Sequence, residues 1–141
     1  MFIINSCRLN QKLARKPYLS PRIGENMQQL EGFQYETALD LNMGYYTISI
    51  SPARQKTTSI VTEFRKFRYN SLPMVICASG DIFQAKVEKL LGDTEGVKTY
   101  IGDIIVLSKD CFRKHTEHLI TIFGRLSAEA LTVNDNTCSF G

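Results

Sequence analysis

Two acidic positions at the ends of strand-like runs are the residues of this chain that could do chemistry. Asp40 lies near the end of an extended run over residues 37–41, and Gly102-Asp103 separates apolar runs over residues 97–101 and 104–107. A Gly-Asp pair between two β-rich runs predicts a hairpin with Asp103 at its tip. Two carboxylates on the ends of neighbouring strands can share magnesium ions and support phosphoryl transfer. The residues alone leave a plainer alternative open, since a single Asp ending a strand is commonly a turn residue.

The elements that must position these residues follow from periodicity and turn signals. The sequence predicts a strand over residues 33–41, a turn or short helix at 42–46, a basic hairpin from 57–64 and 67–70, a helix from Ser79 or Asp81 to Gly92, the Asp103 hairpin, a long helix over 111–130, and short strands at 132–133 and 138–140. Ser20-Pro21 predicts a further helix that ends at Gly32, and residues 1–19 are expected to be irregular. This order predicts an α+β domain with helices on one face of a mainly antiparallel sheet.

Composition narrows the class of protein. The chain has 141 residues with 43% hydrophobic and 22% charged content, which is ordinary for a globular domain. No apolar run approaches the length of a membrane span, and no signal peptide is evident, so we expect an intracellular, cytoplasmic protein. Four widely separated cysteines are expected to be free thiols in a reducing compartment: Cys7, Cys77, Cys111 and Cys138.

Charge is distributed unevenly along the chain. Residues 1–24 and 53–70 together carry a net charge of +9, whereas the remainder carries −6. A basic part beside an acidic part suits a protein that grips a phosphate backbone with one and binds metal with the other. Two solvated faces would give the same pattern, and charge alone does not decide between these interpretations.

Several separated motifs occur in one order and carry a resemblance that covers almost the whole chain. These motifs are Lys16-Pro17-Tyr18, Leu39-Asp40-Leu41, Leu72-Pro73-Met74, Ile82-Phe83-Gln84 and Tyr100-Ile101-Gly102-Asp103. The chain resembles a partial, degenerate reverse transcriptase, an RNA-directed DNA polymerase, of gypsy-class long-terminal-repeat (LTR) retrotransposons. The resemblance implies a polymerase palm plus part of the fingers subdomain. Fingers segments are expected at about residues 1–36 and 53–70, and the palm at about 37–52 and 71–141.

The resemblance also implies roles for individual residues. Asp40 and Asp103 are the expected catalytic, magnesium-binding carboxylates. The residues expected to contact the nucleotide are Leu41, Tyr45, Met74 and Tyr100, and those expected to contact nucleic acid are Arg65, Lys66, Arg68 and Gln84. The implied partners are an RNA template, a DNA primer and a deoxynucleoside triphosphate, whereas the oligomeric state is left open.

Gly102 marks the main departure from the family pattern. It stands where the resembled family has the first Asp of the hairpin, so magnesium is expected to bind weakly if at all. We expect activity to fall by at least ~10²–10³. Glycine suits a turn that needs positive φ, and an aspartate at 102 is expected to lower stability only slightly. Val75 also replaces a family glycine and is expected to be strained if its φ is positive.

Three interpretations remain at the level of sequence. The chain is an impaired polymerase fragment, a non-catalytic module that binds nucleic acid or protein, or a remnant that does not fold stably alone. His115 and His118 are expected to have packing and surface roles rather than to share a metal.

Overall fold

The computed structural model describes residues 7–15, 17–18, 32–61 and 63–141. The helix predicted after Ser20 lies outside these residues. The helices are α1 (Cys7–Asn10), a 3₁₀ helix (Gly44–Thr47), α2 (Pro52–Gln55), α3 (Ser79–Leu91) and α4 (Phe112–Ala128). The strands are β1 (Tyr35–Asn42), β2 (Ser59–Val61), β3 (Lys66–Arg68), β4 (Val97–Tyr100), β5 (Asp103–Ser108), β6 (Thr132–Val133) and β7 (Ser139–Phe140).

An antiparallel five-stranded sheet organises the described chain. Its order is β4-β5-β1-β6, and β7 pairs with a different part of β1. The long β1 strand is therefore central, with β5 along one side and the two short strands along the other. The residues of β1 alternate between buried and less buried positions, because one of its two faces packs on the core.

The helices cover one face of this sheet. Leu39 and Leu41 of β1 and Ile104 and Val106 of β5 point into a common core. This core is completed by α3 and α4, which contribute Phe83, Val87, Leu91, Ile122 and Leu126. Side chains at alternate positions of a strand point to opposite faces, so Asp40 and Asp103 lie on the face away from the helices. The α+β architecture predicted from the order of elements is confirmed.

A second, two-stranded antiparallel sheet is formed by β2 and β3. An isolated antiparallel bridge between Ser49 and Ser71 lies outside both sheets. The basic hairpin predicted for residues 57–70 is confirmed, although its strands are shorter than expected.

Residues 7–15 and 17–18 are held against the start of α3. The Asn10 side chain donates to the Val75 carbonyl and accepts from the Cys77 amide. The Asp81 carboxylate accepts from the Arg15 guanidinium and from the Tyr18 amide, and these donors lower the pKa of Asp81.

Most predicted elements are confirmed, and two short helices were missed. Residues 1–19 were expected to be irregular, yet α1 forms there. The Ser51-Pro52 pair that begins α2 was a readable start signal, because proline is favoured in the first helical turn. Val75 does not have positive φ, so the predicted strain at that position is wrong.

In the described part of the chain, no helix has both the length and the apolar character needed to cross a membrane. Cys77, Cys111 and Cys138 are present as free thiols.

Candidate functional site

Asp40 and Asp103 face each other across neighbouring strands. They are register partners at the end of the β1–β5 ladder, although they are far apart in sequence. Directly opposed residues in an antiparallel pair have Cα atoms about 4.5–5.5 Å apart and point to the same face. The two carboxylates therefore share the open face of the sheet, where Asp103 is exposed and Asp40 is half-buried. Tyr100 is the register partner of Asp103 on the other side and extends the row.

The hairpin beside these carboxylates turns one residue earlier than predicted. Ile101 and Gly102 form the two-residue turn, and Asp103 is the first residue of β5 rather than the tip. Ile101 has φ of 42° and Gly102 has φ of 101°. Two successive positive φ angles are characteristic of type I′ hairpins, whose twist matches that of the strands. Asp103 is thereby placed in register with Asp40 instead of projecting beyond the sheet.

Ile101 is strained in this turn. A β-branched residue rarely adopts positive φ, and such a conformation costs on the order of 1–3 kcal/mol. Gly102 adopts its angle without a side-chain clash. The expectation that aspartate at 102 would lower stability only slightly needs correction, because any L-residue at φ of 101° is strained.

Gly102 is buried in the turn. A Cβ atom added there would lie 3.7 Å from the Phe83 ring, at ordinary contact distance. The Gly102 carbonyl accepts a hydrogen bond of 2.9 Å from the Leu41 amide. This bond joins the turn to β1 next to Asp40.

The Gln84 side chain, which belongs to α3, supports the same turn through hydrogen bonds. It is only 3% exposed. Its Nε2 donates to the Thr99 carbonyl at 3.0 Å, and its Oε1 accepts from the Ile101 amide at 2.7 Å. The sequence-based prediction that Gln84 contacts nucleic acid needs correction, since its amide is buried and engaged by the hairpin. The helical position of Gln84 on the buried face of α3 was the signal available for this contact.

A loop after β6 reaches the Asp40 carboxylate. The Thr137 hydroxyl donates to Asp40 Oδ2 at 2.7 Å, and the Asn134 amide donates to the Asp40 carbonyl at 2.8 Å. Sequence reasoning did not predict this contact, which depends on a pairing of distant segments.

Phe83 packs beneath the 3₁₀ helix as well as the hairpin turn. The Tyr45 and Phe83 rings lie 4.8 Å apart between centroids, and burial raises the pKa of Tyr45. A Cβ atom at Gly44 would overlap the Phe83 ring. Tyr45 therefore rests on the same aromatic ring that lies against Gly102.

The remaining residues expected to contact a nucleotide have different surroundings. Leu41 is buried in the core, whereas Met74 and Tyr100 are exposed. The Leu41 side chain is thus not available to a ligand. Met74 lies in the turns before α3, and Tyr100 ends β4 next to Asp103.

The basic hairpin presents apolar side chains among its charges. Phe64 is 89% exposed and Phe67 is 51% exposed. Lys66 and Arg68 flank Phe67 in the exposed strand β3. Arg65 is also exposed. Aromatic rings interleaved with basic groups suit contacts with nucleic-acid bases and phosphates.

The described part of the two basic stretches meets at one cleft. The cleft, of about 210 Å³, is lined by residues from both stretches together with the turn before α3: Arg8, Leu9, Thr57, Thr58, Ser59, Ile60, Tyr69, Pro73, Val75 and Ile76. A larger cleft of about 720 Å³ lies at the end of the five-stranded sheet opposite to Asp40 and Asp103, where Leu107 and Ser108 end β5. We place the candidate chemistry at Asp40 and Asp103, because size alone assigns no function to the larger cleft.

Metal-binding capacity is limited to small groups of ligands. Across the described ranges, no cluster of three or more His, Cys, Asp or Glu side chains could hold a metal ion. Asp40 and Asp103 supply two adjacent carboxylates, which are oxygen ligands of the kind that magnesium prefers. They fit a divalent cation but form a small ligand set.

His115 has a structural role. It is 1% exposed, and its ring lies 2.9 Å from the Thr37 hydroxyl and 2.8 Å from that of Ser108. Burial lowers the pKa of His115. The ring thus connects α4 to β1 and β5.

Comparison with known proteins agrees with this architecture. The chain is 27% identical over 141 residues to the retrovirus-related Pol polyprotein from transposon 412 and 25% identical over 140 residues to that from transposon gypsy, both of Drosophila melanogaster. Each alignment covers 98% of this chain but only 11% and 13%, respectively, of the polyprotein. A foamy viral protease-reverse transcriptase in complex with an RNA/DNA hybrid superposes with a TM-score of 0.86 at 22% identity, over 98% of this chain and 19% of that one. No protein-family model matches the chain.

The fold is therefore that of the palm and part of the fingers of a reverse transcriptase. The relatives are retrotransposon Pol polyproteins, so the resemblance to a reverse transcriptase-like domain of an LTR retrotransposon, inferred from the motifs, is confirmed.

Proposed function

We propose that this chain is a fingers–palm fragment of a retrotransposon polyprotein, by descent an RNA-directed DNA polymerase, with impaired nucleotidyl transfer. The observation that carries the proposal is the register pairing of Asp40 with Asp103 on the open face of the sheet. Asp40 and Asp103 would hold magnesium, which when bound supplies neutralising charge to the phosphates and activates the primer hydroxyl.

Other residues of this chain would orient the substrates around that pair. Tyr45 rests on Phe83 and would lie against the sugar of the incoming nucleotide, and the exposed Met74 and Tyr100 would contact the base and the primer end. The proposed substrates are an RNA template, a DNA primer and a deoxynucleoside triphosphate.

The proposed impairment rests on the size of the ligand set. Gly102 offers no carboxylate, so two acidic side chains remain where the resembled family uses three. Magnesium dehydrates reluctantly, and a smaller negative charge binds it less tightly. We propose that the activity of this fragment is at least ~10²–10³ below that of a complete site.

The proposed subdomain boundaries follow the two sheets except at Tyr35 and Glu36, which lie in β1. The fingers would comprise residues 1–36 and 53–70, and the palm residues 37–52 and 71–141. The separation of the β2–β3 sheet from the five-stranded sheet supports this division. A cytoplasmic location also remains a prediction.

Primer extension on a primed RNA template with magnesium tests the proposal. Wild type should extend poorly, and Gly102→Asp should extend measurably faster. The double variant Gly102→Asp/Asp40→Asn is the matched control and should lose that gain. A Gly102→Asp variant that folds yet extends no better than the double variant would contradict the proposed polymerase site.

A second candidate function, non-catalytic binding of nucleic acid, is favoured by the exposed basic and aromatic hairpin. Binding through Arg65, Lys66 and Arg68 would depend on salt and need no magnesium. Replacing all three by Ala should weaken binding and reduce the salt slope by about 3 if each contacts one phosphate. The matched control replaces Lys109 and Lys114, which lie at the opposite end of the sheet. An unchanged affinity and slope in the triple variant would exclude this hairpin as the binding surface.

A further inference from the structure

Gln84 makes a set of contacts that no substrate-binding role explains. Its side chain spans two segments of the hairpin: Nε2 donates to the carbonyl and, at 3.1 Å, to the hydroxyl of Thr99, and Oε1 accepts from the Ile101 amide. The Thr99 hydroxyl in turn donates to Glu88 Oε2 at 2.9 Å. The amide of Gln84 is thus used on both its donor and its acceptor side.

These contacts fall on the strained part of the turn. Ile101 has positive φ although it is β-branched. Its amide is held by Gln84 on one side, and the neighbouring Gly102 carbonyl is held by the Leu41 amide on the other. Strained residues persist only where the surroundings fix them. Asp103 follows this turn directly, so the turn conformation sets the position of its carboxylate.

We propose that Gln84 is a positioning residue that holds the Ile101–Gly102 turn in its strained form and thereby keeps Asp103 opposite Asp40. The inference rests on the proposed function, in which these two carboxylates hold a divalent cation. Gln84 acts through Ile101 and Asp103 and contacts no ligand itself.

Glutamine is suited to this role because the site needs a donor and an acceptor on one side chain. Glutamate would keep the acceptor for the Ile101 amide but could not donate to the Thr99 carbonyl while ionised. It would also place a second carboxylate near Glu88. Methionine has a similar length but lacks strong groups of both kinds.

Manganese binding followed by electron paramagnetic resonance measures the consequence at the carboxylates. Gln84→Met should weaken binding about 10–100-fold, as is typical when a residue that orients a metal ligand is lost. Adding Ile101→Asn should recover most of the affinity, because asparagine tolerates positive φ and the turn would no longer need the clamp. Ile101→Asn alone should bind as wild type does.

Gln55→Met is the matched control, because Gln55 also donates to a backbone carbonyl, that of Ile50, in the distant α2 region. Thermal melts of every variant identify loss of folding. Equal manganese affinity in folded Gln84→Met and wild type, or no recovery with Ile101→Asn, would overturn the proposal.

Hydrogen exchange of the Ile101 amide separates this inference from the proposed function. Exchange should accelerate in Gln84→Met and stay unchanged in Gln55→Met. Should wild type and Asp40→Asn bind manganese equally, the proposed function would fail. Unchanged Ile101 exchange in folded Gln84→Met would overturn the role of Gln84 whatever the metal results are.

Discussion

The most informative perturbation is Gly102→Asp, because it adds a carboxylate and strains the backbone at one position. Gly102 has φ of 101°, where any L-residue is strained, but a Cβ atom would meet the Phe83 ring only at ordinary contact distance. The backbone cost is on the order of 1–3 kcal/mol. A third negative charge near Asp40 and Asp103 adds about 1 kcal/mol. Without metal the variant should be less stable by roughly 2–4 kcal/mol.

Thermal unfolding measures this difference. At about 4 °C per kcal/mol for a chain of this size, the melting temperature should fall by roughly 8–16 °C in a chelator. Magnesium should recover part of the loss, because it binds the folded form more tightly when three carboxylates converge. Calorimetric titration of both proteins with magnesium should show tighter binding by Gly102→Asp.

Gly102→Asn separates strain from charge. Asparagine has the size of aspartate and tolerates positive φ better than most residues, so this variant should show the backbone cost alone and no gain in magnesium affinity. Equal magnesium binding by the Asp and Asn variants would refute the assignment of residue 102 to a ligand position. A Gly102→Asp protein that melts with wild type in chelator would refute the strained turn.

Three further predictions concern the support of the site. Gly44→Ala should destabilise the fold by about 1–3 kcal/mol in urea unfolding, since its Cβ atom would overlap the Phe83 ring. Adding Phe83→Leu to this variant should offset part of the loss. Thr137→Val should cost roughly 0.5–1.5 kcal/mol and accelerate amide exchange in the loop after β6, because it removes the hydroxyl that donates to Asp40, whereas Thr137→Ser should behave as wild type. Because the pKa of His115 is lowered in the folded protein, the unfolded chain binds a proton there more readily than the folded one. The contribution of His115 to stability should therefore be fully present above about pH 6.5 and decline as the pH falls below it. Urea unfolding should show this decline in wild type, and the same decline in a His115→Gln variant would contradict the prediction.

The sequence by itself determined the elements and the candidate residues. The alternation in β1, the stop of α3 at Gly92 and the periodicity of α4 are local properties of the chain, so they could be read without tertiary contacts. The motif order likewise identified Asp40, Gly102 and Asp103 before their positions in space were known.

Only the tertiary structure decided how those residues are held. The turn fell at Ile101–Gly102 rather than Gly102-Asp103, because strand register and the Gln84 contact override the usual preference of β-branched residues for negative φ. Gln84 moved from an expected nucleic-acid contact to a buried support for the same reason, since its partners lie 15 and 17 positions away. The contact of Thr137 with Asp40 spans 97 positions. Such pairings depend on how helices and strands pack together, and that information is not contained in any single stretch of sequence.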